Sequence, residues 1–251
     1  MCRKRTAHRP SVSPQIGSLT CSLARPSVTH YKMIKHLLRY MRGTQDLTLT
    51  FGTRSLQGPP LVCMVDSNYI GDGDGCYSTT GYVFYYYGCP VLCESKKQTA
   101  ISTGTTEAEL IAASHAIRTG IYLRKLLIND FGMSTEPTIV GEDNQGCVHI
   151  SRGGGNHAGK RHMRVADSYA YQEVKINKSH SIRYVRSRDN VSDIFTKAAD
   201  PVTFKRLRWY LMGDTPDDDS KIDRNQGLTY HWLDEDDVGS APVEECWRMD
   251  E

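Results

Sequence analysis

The sequence contains no long hydrophobic run, and this absence excludes a helical membrane span. None of its apolar stretches approaches the ~20 residues that a helix needs to cross a bilayer. The first ten residues, MCRKRTAHRP, also lack the apolar stretch of a secretory signal. We therefore expect an intracellular protein that makes no use of a membrane.

Paired cysteine motifs are also missing. The chain has eight cysteines, but none of them forms a Cys-x-x-Cys pair, so neither a zinc ribbon nor a dithiol redox motif is indicated. In an intracellular protein, we expect these cysteines to be reduced thiols, several of them buried.

Acidic residues are under-represented over residues 1–213, although the net charge of the whole chain is only +2. Residues 214–251 contain thirteen acidic side chains against three basic ones, so the remainder of the chain is strongly basic. A basic body attracts polyanions. The acidic segment lacks hydrophobic periodicity and is predicted to be a disordered tail. A terminus that is merely solvated, without a functional role, is the simpler explanation of this segment.

The apolar pattern predicts an α/β domain. Apolar runs predict strands over 61–65, 81–87, 91–94, 138–140 and 182–185. Helical spacing predicts helices over 31–42, 105–130, 144–150 and 164–174, and a last helical region over 191–197. Residues 47–51 alternate as a short strand, and residues 1–29 show no sustained period, so we expect them to be irregular.

Four acidic residues, Asp66, Glu107, Asp143 and Asp193, lie in different predicted elements. Asp66 and Asp143 end predicted strands, where ligands of α/β sheets usually bind. Glu107 lies in the first turn of the long helix, and Asp193 in the last helical region. Carboxylates that converge from separate elements suit Mg²⁺, and four of them can hold two ions for phosphodiester hydrolysis. For any one of these residues alone, a solvated surface position is the simpler explanation.

Several local motifs occur in one order along the chain: VDSNYIGD, STTGYVF, ESKKQTAIS, TTEAELIAASHA, YLRKLL, EDNQG and SDIFTK. In these motifs the chain resembles the ribonuclease H domain of copia-type retrotransposon polyproteins, over residues 61–197. Upstream, HLLRYMRGTQDLTL is similar to the segment that links the reverse transcriptase to that domain. The polymerase's Asp-Asp motif is missing, so polymerase activity is not expected.

The resemblance implies a ribonuclease H-like α/β fold, with a five-stranded mixed sheet flanked by helices. It implies hydrolysis of the RNA strand of RNA/DNA hybrids by two Mg²⁺ ions, with Mn²⁺ as an alternative, held by Asp66, Glu107, Asp143 and Asp193. No small-molecule cofactor is expected. Nucleic-acid contacts are expected from Lys96, Lys97, Gln98, Asn144 and Gln145, for which ordinary turn and surface roles are an equally good explanation.

This interpretation divides the chain into three parts. Residues 1–58 are predicted to be a remnant of a reverse-transcriptase thumb or connection segment, 59–213 the ribonuclease H domain, and 214–251 the acidic tail. The expected partners are an RNA/DNA hybrid and a reverse-transcriptase domain in cis or in trans, in a cytoplasmic particle or the nucleus. The alternative is a catalytically inactive, nucleic-acid-binding remnant of a truncated element. A DNA-directed nuclease or integrase is disfavoured by the TTEAEL and EDNQG contexts.

Overall fold

A five-stranded mixed sheet forms the centre of the protein. The structure, a computed structural model, describes residues 9–49, 59–69, 77–132, 136–154 and 169–212. Its strands are β1 (Leu61–Asn68), β2 (Thr79–Tyr86), β3 (Cys89–Lys97), β4 (Thr138–Glu142) and β5 (His180–Tyr184). Their order is β3-β2-β1-β4-β5; β1 to β3 pair antiparallel, and β4 and β5 join β1 in parallel. The predicted α/β fold, a five-stranded mixed sheet flanked by helices, is confirmed.

The helices lie before, within and after this sheet in the sequence. They are α1 (Ser13–Cys21), α2 (Val28–Gly43), α3 (Thr105–Phe131), α4 (Gln145–Ser151) and α5 (Pro201–Met212). Short 3₁₀ segments cover Pro10–Val12, Ser187–Asp189 and Val191–Phe195, and Gln172–Ile176 is π-helical. Among the described residues, no helix combines the length and the apolar character needed to cross a membrane.

The central strand β1 is buried on both faces, because its side chains alternate between two hydrophobic clusters. Leu61, Cys63 and Val65 belong to the cluster that contains residues of α3. Met64 belongs to the opposite cluster, which contains residues of the 3₁₀ segment 191–195 and of α5. Elements on both faces are therefore packed against the strand that ends with Asp66, Ser67 and Asn68.

The N-terminal prediction was wrong in part. Residues 1–29 were expected to be irregular, but α1 forms within them, and Pro14 stands in its first turn, where the missing N–H costs nothing. The predicted strand over 47–51 is absent at 47–49, and its last two residues lie outside the described residues. Helix α5 was not predicted. The acidic tail 214–251 also lies outside the described residues, and the division into three parts stays a prediction.

Helix α3 follows the predicted range closely, and most of the residues that gave it helical spacing in the sequence face the core. It ends where Gly132 adopts a left-handed conformation, with φ of 63°. Of the residues that keep a helical period in the sequence, Ala108, Ala112, Ile117 and Leu123 are buried, whereas Ile111, His115 and Leu126 are half-buried or exposed. Residues Leu110, Ala113, Ala116 and Gly120 are buried as well. The alanines in this helix leave its hydrophobic face poorly marked in the sequence, so packing against β1 decides it.

Gly81 on β2 allows the 3₁₀ segment 191–195 to pack directly on the sheet. A Cβ atom at this position would lie 2.6 Å from the Phe195 Cβ and 2.6 Å from the Thr196 Cγ2. We expect Gly81→Ala to reduce the free energy of unfolding, measured in urea, by about 1–3 kcal/mol through overpacking. Gly17→Ala in α1, where nothing lies within 4 Å, should instead stabilise the protein by about 0.5–1 kcal/mol. Equal effects of the two substitutions would contradict this account of Gly81.

Candidate metal centre

The parallel pairing of β1 with β4 brings two of the expected carboxylates together. Met64 pairs with Gly141, and continuing this register by two residues sets Asp66 beside Asp143. Asp66 has no exposed surface, whereas Asp143 is half-buried. Both therefore lie at the same edge of the sheet, with Asp143 nearer to solvent.

Asp193 joins them because the segment that carries it is tied to β1 by side-chain hydrogen bonds. The Asn190 side-chain amide donates to the Val65 carbonyl at 2.9 Å, and the Asn68 amide donates to the Thr196 carbonyl at 3.2 Å. The Thr196 hydroxyl donates to the Asp66 carboxylate. As a result, one carboxylate oxygen from each of Asp66, Asp143 and Asp193 lies within 4.8 Å of the others.

A second group of carboxylates overlaps the first at Asp143. Oxygens of Glu109, Glu142 and Asp143 also lie within 4.8 Å of one another. Glu109 and Glu142 are buried, and one oxygen of each, Oε2, has no hydrogen-bond partner within the described part of the chain. The other oxygen of Glu142 accepts a bond from the Asn144 backbone N–H at 3.0 Å. The two groups together hold five carboxyl groups.

The structure does not bring Glu107 into either group. The Glu107 carboxylate accepts hydrogen bonds from the Thr103 backbone N–H and the Thr103 hydroxyl, both at 2.6 Å, just before α3 begins. Residues two positions apart on a helix face different directions. Because Glu109 points to the carboxylates on the sheet, Glu107 cannot do so. The structure therefore places Glu109, and not the expected Glu107, among the clustered carboxylates.

The residues expected to contact nucleic acid are placed in different ways. Lys96 and Lys97 are half-buried at the end of the edge strand β3, and Gln145 is exposed in the first turn of α4. Asn144 is half-buried, and its side-chain oxygen accepts a hydrogen bond from the Cys147 N–H at 2.9 Å, so it caps α4. These four side chains lie at or near the surface.

Gln98 is buried, whereas its predicted role in nucleic-acid contact requires a position at the surface. It is 5% exposed, and its side-chain amide donates to the Thr80 hydroxyl at 3.1 Å and to the Ala108 carbonyl at 2.8 Å. It therefore joins the edge of the sheet to the first turn of α3. Its amide hydrogens are used in this way, and its expected contact with nucleic acid stays a prediction.

Burial and mutual repulsion raise the pKa values of the clustered carboxyl groups. Burial, followed by the nearby Asp193 carboxylate, raises the pKa of Asp66 to about 7. Burial, followed by Asp66 and Asp143, raises the pKa of Glu109 to about 9. Burial and the neighbouring Glu109 raise the pKa of Glu142 well above its ordinary value. A divalent cation would relieve this repulsion, and carboxylate oxygens are ligands that Mg²⁺ prefers, so the residues fit such an ion.

Lys197 is part of this centre, although it was not among the predicted site residues. Its ammonium nitrogen lies 2.9 Å from an oxygen of Asp66 and 2.9 Å from an oxygen of Asp193. Burial lowers the pKa of Lys197, but the two carboxylates outweigh this effect and raise it. In the sequence, its position four residues after Asp193 was the signal that could have placed it in the centre, since residues so spaced are neighbours on a helical turn.

The raised pKa of Glu109 predicts a stability that depends on pH. In metal-free protein, folding at pH 8 requires Glu109 to keep a proton that the unfolded chain has lost, so stability falls as the pH rises from the ordinary pKa of 4.5 toward about 9. We expect Glu109→Gln to raise the melting temperature in EDTA at pH 8 by about 5 °C, roughly 2 kcal/mol for a chain of this size, and to change little at pH 4.5. Glu107→Gln should lack this gain at pH 8, because the hydrogen bonds that the Glu107 carboxylate accepts from Thr103 are weakened. A gain shown by Glu107→Gln alone would contradict the assignment.

No protein-family profile matches the chain. The retrovirus-related Pol polyprotein from transposon TNT 1-94 of Nicotiana tabacum is 30% identical over 189 residues, which cover 75% of this chain and 14% of that protein. The corresponding polyprotein from transposon RE2 of Arabidopsis thaliana is 26% identical over 202 residues, 79% of this chain and 14% of that protein. The chain thus spans a small part of the length of these relatives.

Shorter proteins are also similar to this chain. Secreted RxLR effector protein 161 of Plasmopara viticola is 34% identical over 118 residues, 46% of this chain and 80% of that protein. Among solved structures, RNase H1 from Halobacterium salinarum NRC-1 has a TM-score of 0.38 and 15% identity, covering 54% of this chain and 93% of that one. LC11-RNase H1 in complex with an RNA/DNA hybrid has a TM-score of 0.40 and 14% identity, with coverage of 54% and 93%. The chain is thus homologous, over about three quarters of its own length, to retrovirus-related Pol polyproteins from plant transposons.

Proposed function

We propose that this chain hydrolyses the RNA strand of RNA/DNA hybrids, using divalent ions held by Asp66, Glu109, Asp143 and Asp193. The observation that carries the proposal is the convergence of these carboxyl groups at one edge of a ribonuclease H-like sheet. Similarity to transposon Pol polyproteins supports it, since the chain's motifs resemble the ribonuclease H domain of such proteins.

The four proposed ligands differ in exposure, and this difference indicates the side from which a substrate would approach the site. Asp66 and Glu109 are buried, whereas Asp143 and Asp193 are half-buried, so a phosphodiester would approach from the side of the last two. Bound Mg²⁺, or Mn²⁺ in its place, would activate a water for in-line attack and stabilise the leaving oxygen. The hydrogen bonds of Asn190 and Thr196 to β1 would hold Asp66 and Asp193 in register for that purpose.

A hybrid would be held mainly through its backbone. Lys96 and Lys97 offer positive charge at the end of β3, and the exposed Gln145 follows Asp143 closely enough to reach a sugar edge. Selection of RNA would rest on its 2′-hydroxyl groups in the shallow minor groove. In a longer polyprotein, a reverse-transcriptase domain in cis or in trans would supply such hybrids, in a cytoplasmic particle or in the nucleus.

Cleavage of a labelled RNA/DNA hybrid in Mg²⁺ tests this function. Asp143→Asn should reduce the rate more than about 100-fold, because metal charge stabilisation worth several kcal/mol is lost. Glu109→Gln should have a similar effect, whereas Glu107→Gln should retain most of the activity, and duplex DNA should stay intact. If the wild-type chain binds the hybrid but cuts it at no concentration of Mg²⁺ or Mn²⁺, the inactive nucleic-acid-binding remnant becomes the better account.

The contribution of Lys96 and Lys97 is measurable from the salt dependence of binding. With both changed to Met, we expect the slope of log affinity against log salt concentration for a hybrid in EDTA to become shallower by up to about 2. The matched control changes Lys125 and Lys175, which are exposed on α3 and on the π-helical segment, to Met. A slope that changes equally in both double variants would show a general charge effect and would remove the two lysines from the interface.

A further inference from the structure

We infer that Lys197 is a built-in counter-cation of the metal centre, whose ammonium group occupies the space between Asp66 and Asp193 until a divalent ion displaces it. This inference deepens the proposed function and rests on the same metal site. Lys197 would position the Asp66 and Asp193 carboxylates and limit the affinity of the site for metal, and it would not contact the reacting atoms.

The ammonium group bridges the two carboxylates symmetrically. Its nitrogen lies 2.9 Å from the Asp66 Oδ1 and 2.9 Å from the Asp193 Oδ1. The backbone places it there, because the Lys197 N–H donates to the Asp193 carbonyl at 3.0 Å, and the adjacent Thr196 hydroxyl donates to Asp66. Two neighbouring residues, one through a hydroxyl and one through an ammonium, thus bind both oxygens of the Asp66 carboxylate.

A divalent ion and this ammonium group cannot share the bridge. Mg²⁺ binds carboxylate oxygens at about 2.0–2.1 Å. An ion ligated by the same oxygens of Asp66 and Asp193 would lie only a few ångströms from the Lys197 nitrogen, where two positive charges repel each other strongly. One cation must therefore leave before the other can bind between these oxygens.

The surroundings allow Lys197 to be the cation that leaves. Its side chain is 42% exposed, whereas the Asp66 side chain is fully buried and the Asp193 side chain is 22% exposed. The long lysine side chain can turn its charge into water without exposing apolar surface. The exchange therefore requires a rotamer change of Lys197 and no movement of β1 or of the 3₁₀ segment 191–195.

Charge balance explains why such a residue is useful. The five carboxyl groups of the centre include Glu109 and Glu142, each with an oxygen that has no hydrogen-bond partner among the described residues. In the described part of the chain, Lys197 is the residue that makes salt bridges with this group. It would stabilise the metal-free site, and the divalent ion would have to overcome that stabilisation in order to bind.

Titration of the protein with Mg²⁺ alone, by calorimetry and by thermal shift, tests the inference without nucleic acid. We expect Lys197→Met to lower the metal-free melting temperature and to bind Mg²⁺ about fivefold more tightly, since the competing ion pair is lost. Lys197→Arg keeps the charge and should show no such gain, and the exposed Lys125→Met should behave as the wild type. Unchanged or weaker Mg²⁺ binding by Lys197→Met would overturn the exchange.

Hybrid cleavage, measured on the same proteins, separates this inference from the proposed function. Tighter Mg²⁺ binding by Lys197→Met in a protein without hybrid cleavage would support the exchange and contradict the function. Hybrid cleavage by the wild type, with no gain in Mg²⁺ affinity in Lys197→Met, would support the function and contradict the exchange. If Lys197→Met does not fold without metal, Lys197→Gln provides the comparison, with the same expected gain and the same contradicting result.

Discussion

Five carboxyl groups are held together at one edge of the sheet, and the surrounding fold must keep them there against their mutual repulsion. Asp66, Glu109 and Glu142 are buried, and Asp143 and Asp193 close the group on the solvent side. Such a cluster lowers the stability of the folded chain unless protons or cations neutralise it. Protonation of the buried carboxyl groups, the Lys197 ammonium group and the proposed divalent ions are three ways of meeting this same requirement.

The surrounding fold supplies the rigidity that keeps the carboxyl groups together despite their repulsion. The central strand β1 packs between two apolar clusters, and its parallel register with β4 fixes the separation of Asp66 and Asp143. The buried amide of Asn190 binds the backbone of the same strand, and Gly81 leaves room for the segment that carries Asp193. Stability supplied by packing is thus used to maintain an electrostatically unfavourable site, a pattern that is common at functional sites.

The sequence was sufficient to predict elements with a strong local signal. The apolar run before Asp66 marked a buried strand, and the EDNQG motif placed Asp143 at the end of another. The choice between Glu107 and Glu109 could not be made in the same way, because the alanine-rich start of α3 does not show which face packs on the sheet. The roles of Gln98 and Lys197 depend on partners far away in the chain, such as Ala108 and Asp66, which local patterns do not show. Prediction therefore succeeded for the central strands and for α3, missed α1 and α5, and did not reach the individual contacts of Gln98 and Lys197.

We propose that Asp66, Glu109, Asp143 and Asp193 together hold divalent metal. The most direct measurement is a crystal structure of the protein with Mn²⁺, in which anomalous scattering locates the ions independently of any assumed ligand. The account predicts anomalous peaks within bonding distance of these four carboxylates, and a Lys197 side chain turned away from the space between Asp66 and Asp193. Peaks bound by Glu107, or the absence of any peak at the carboxylates at saturating Mn²⁺, would contradict it.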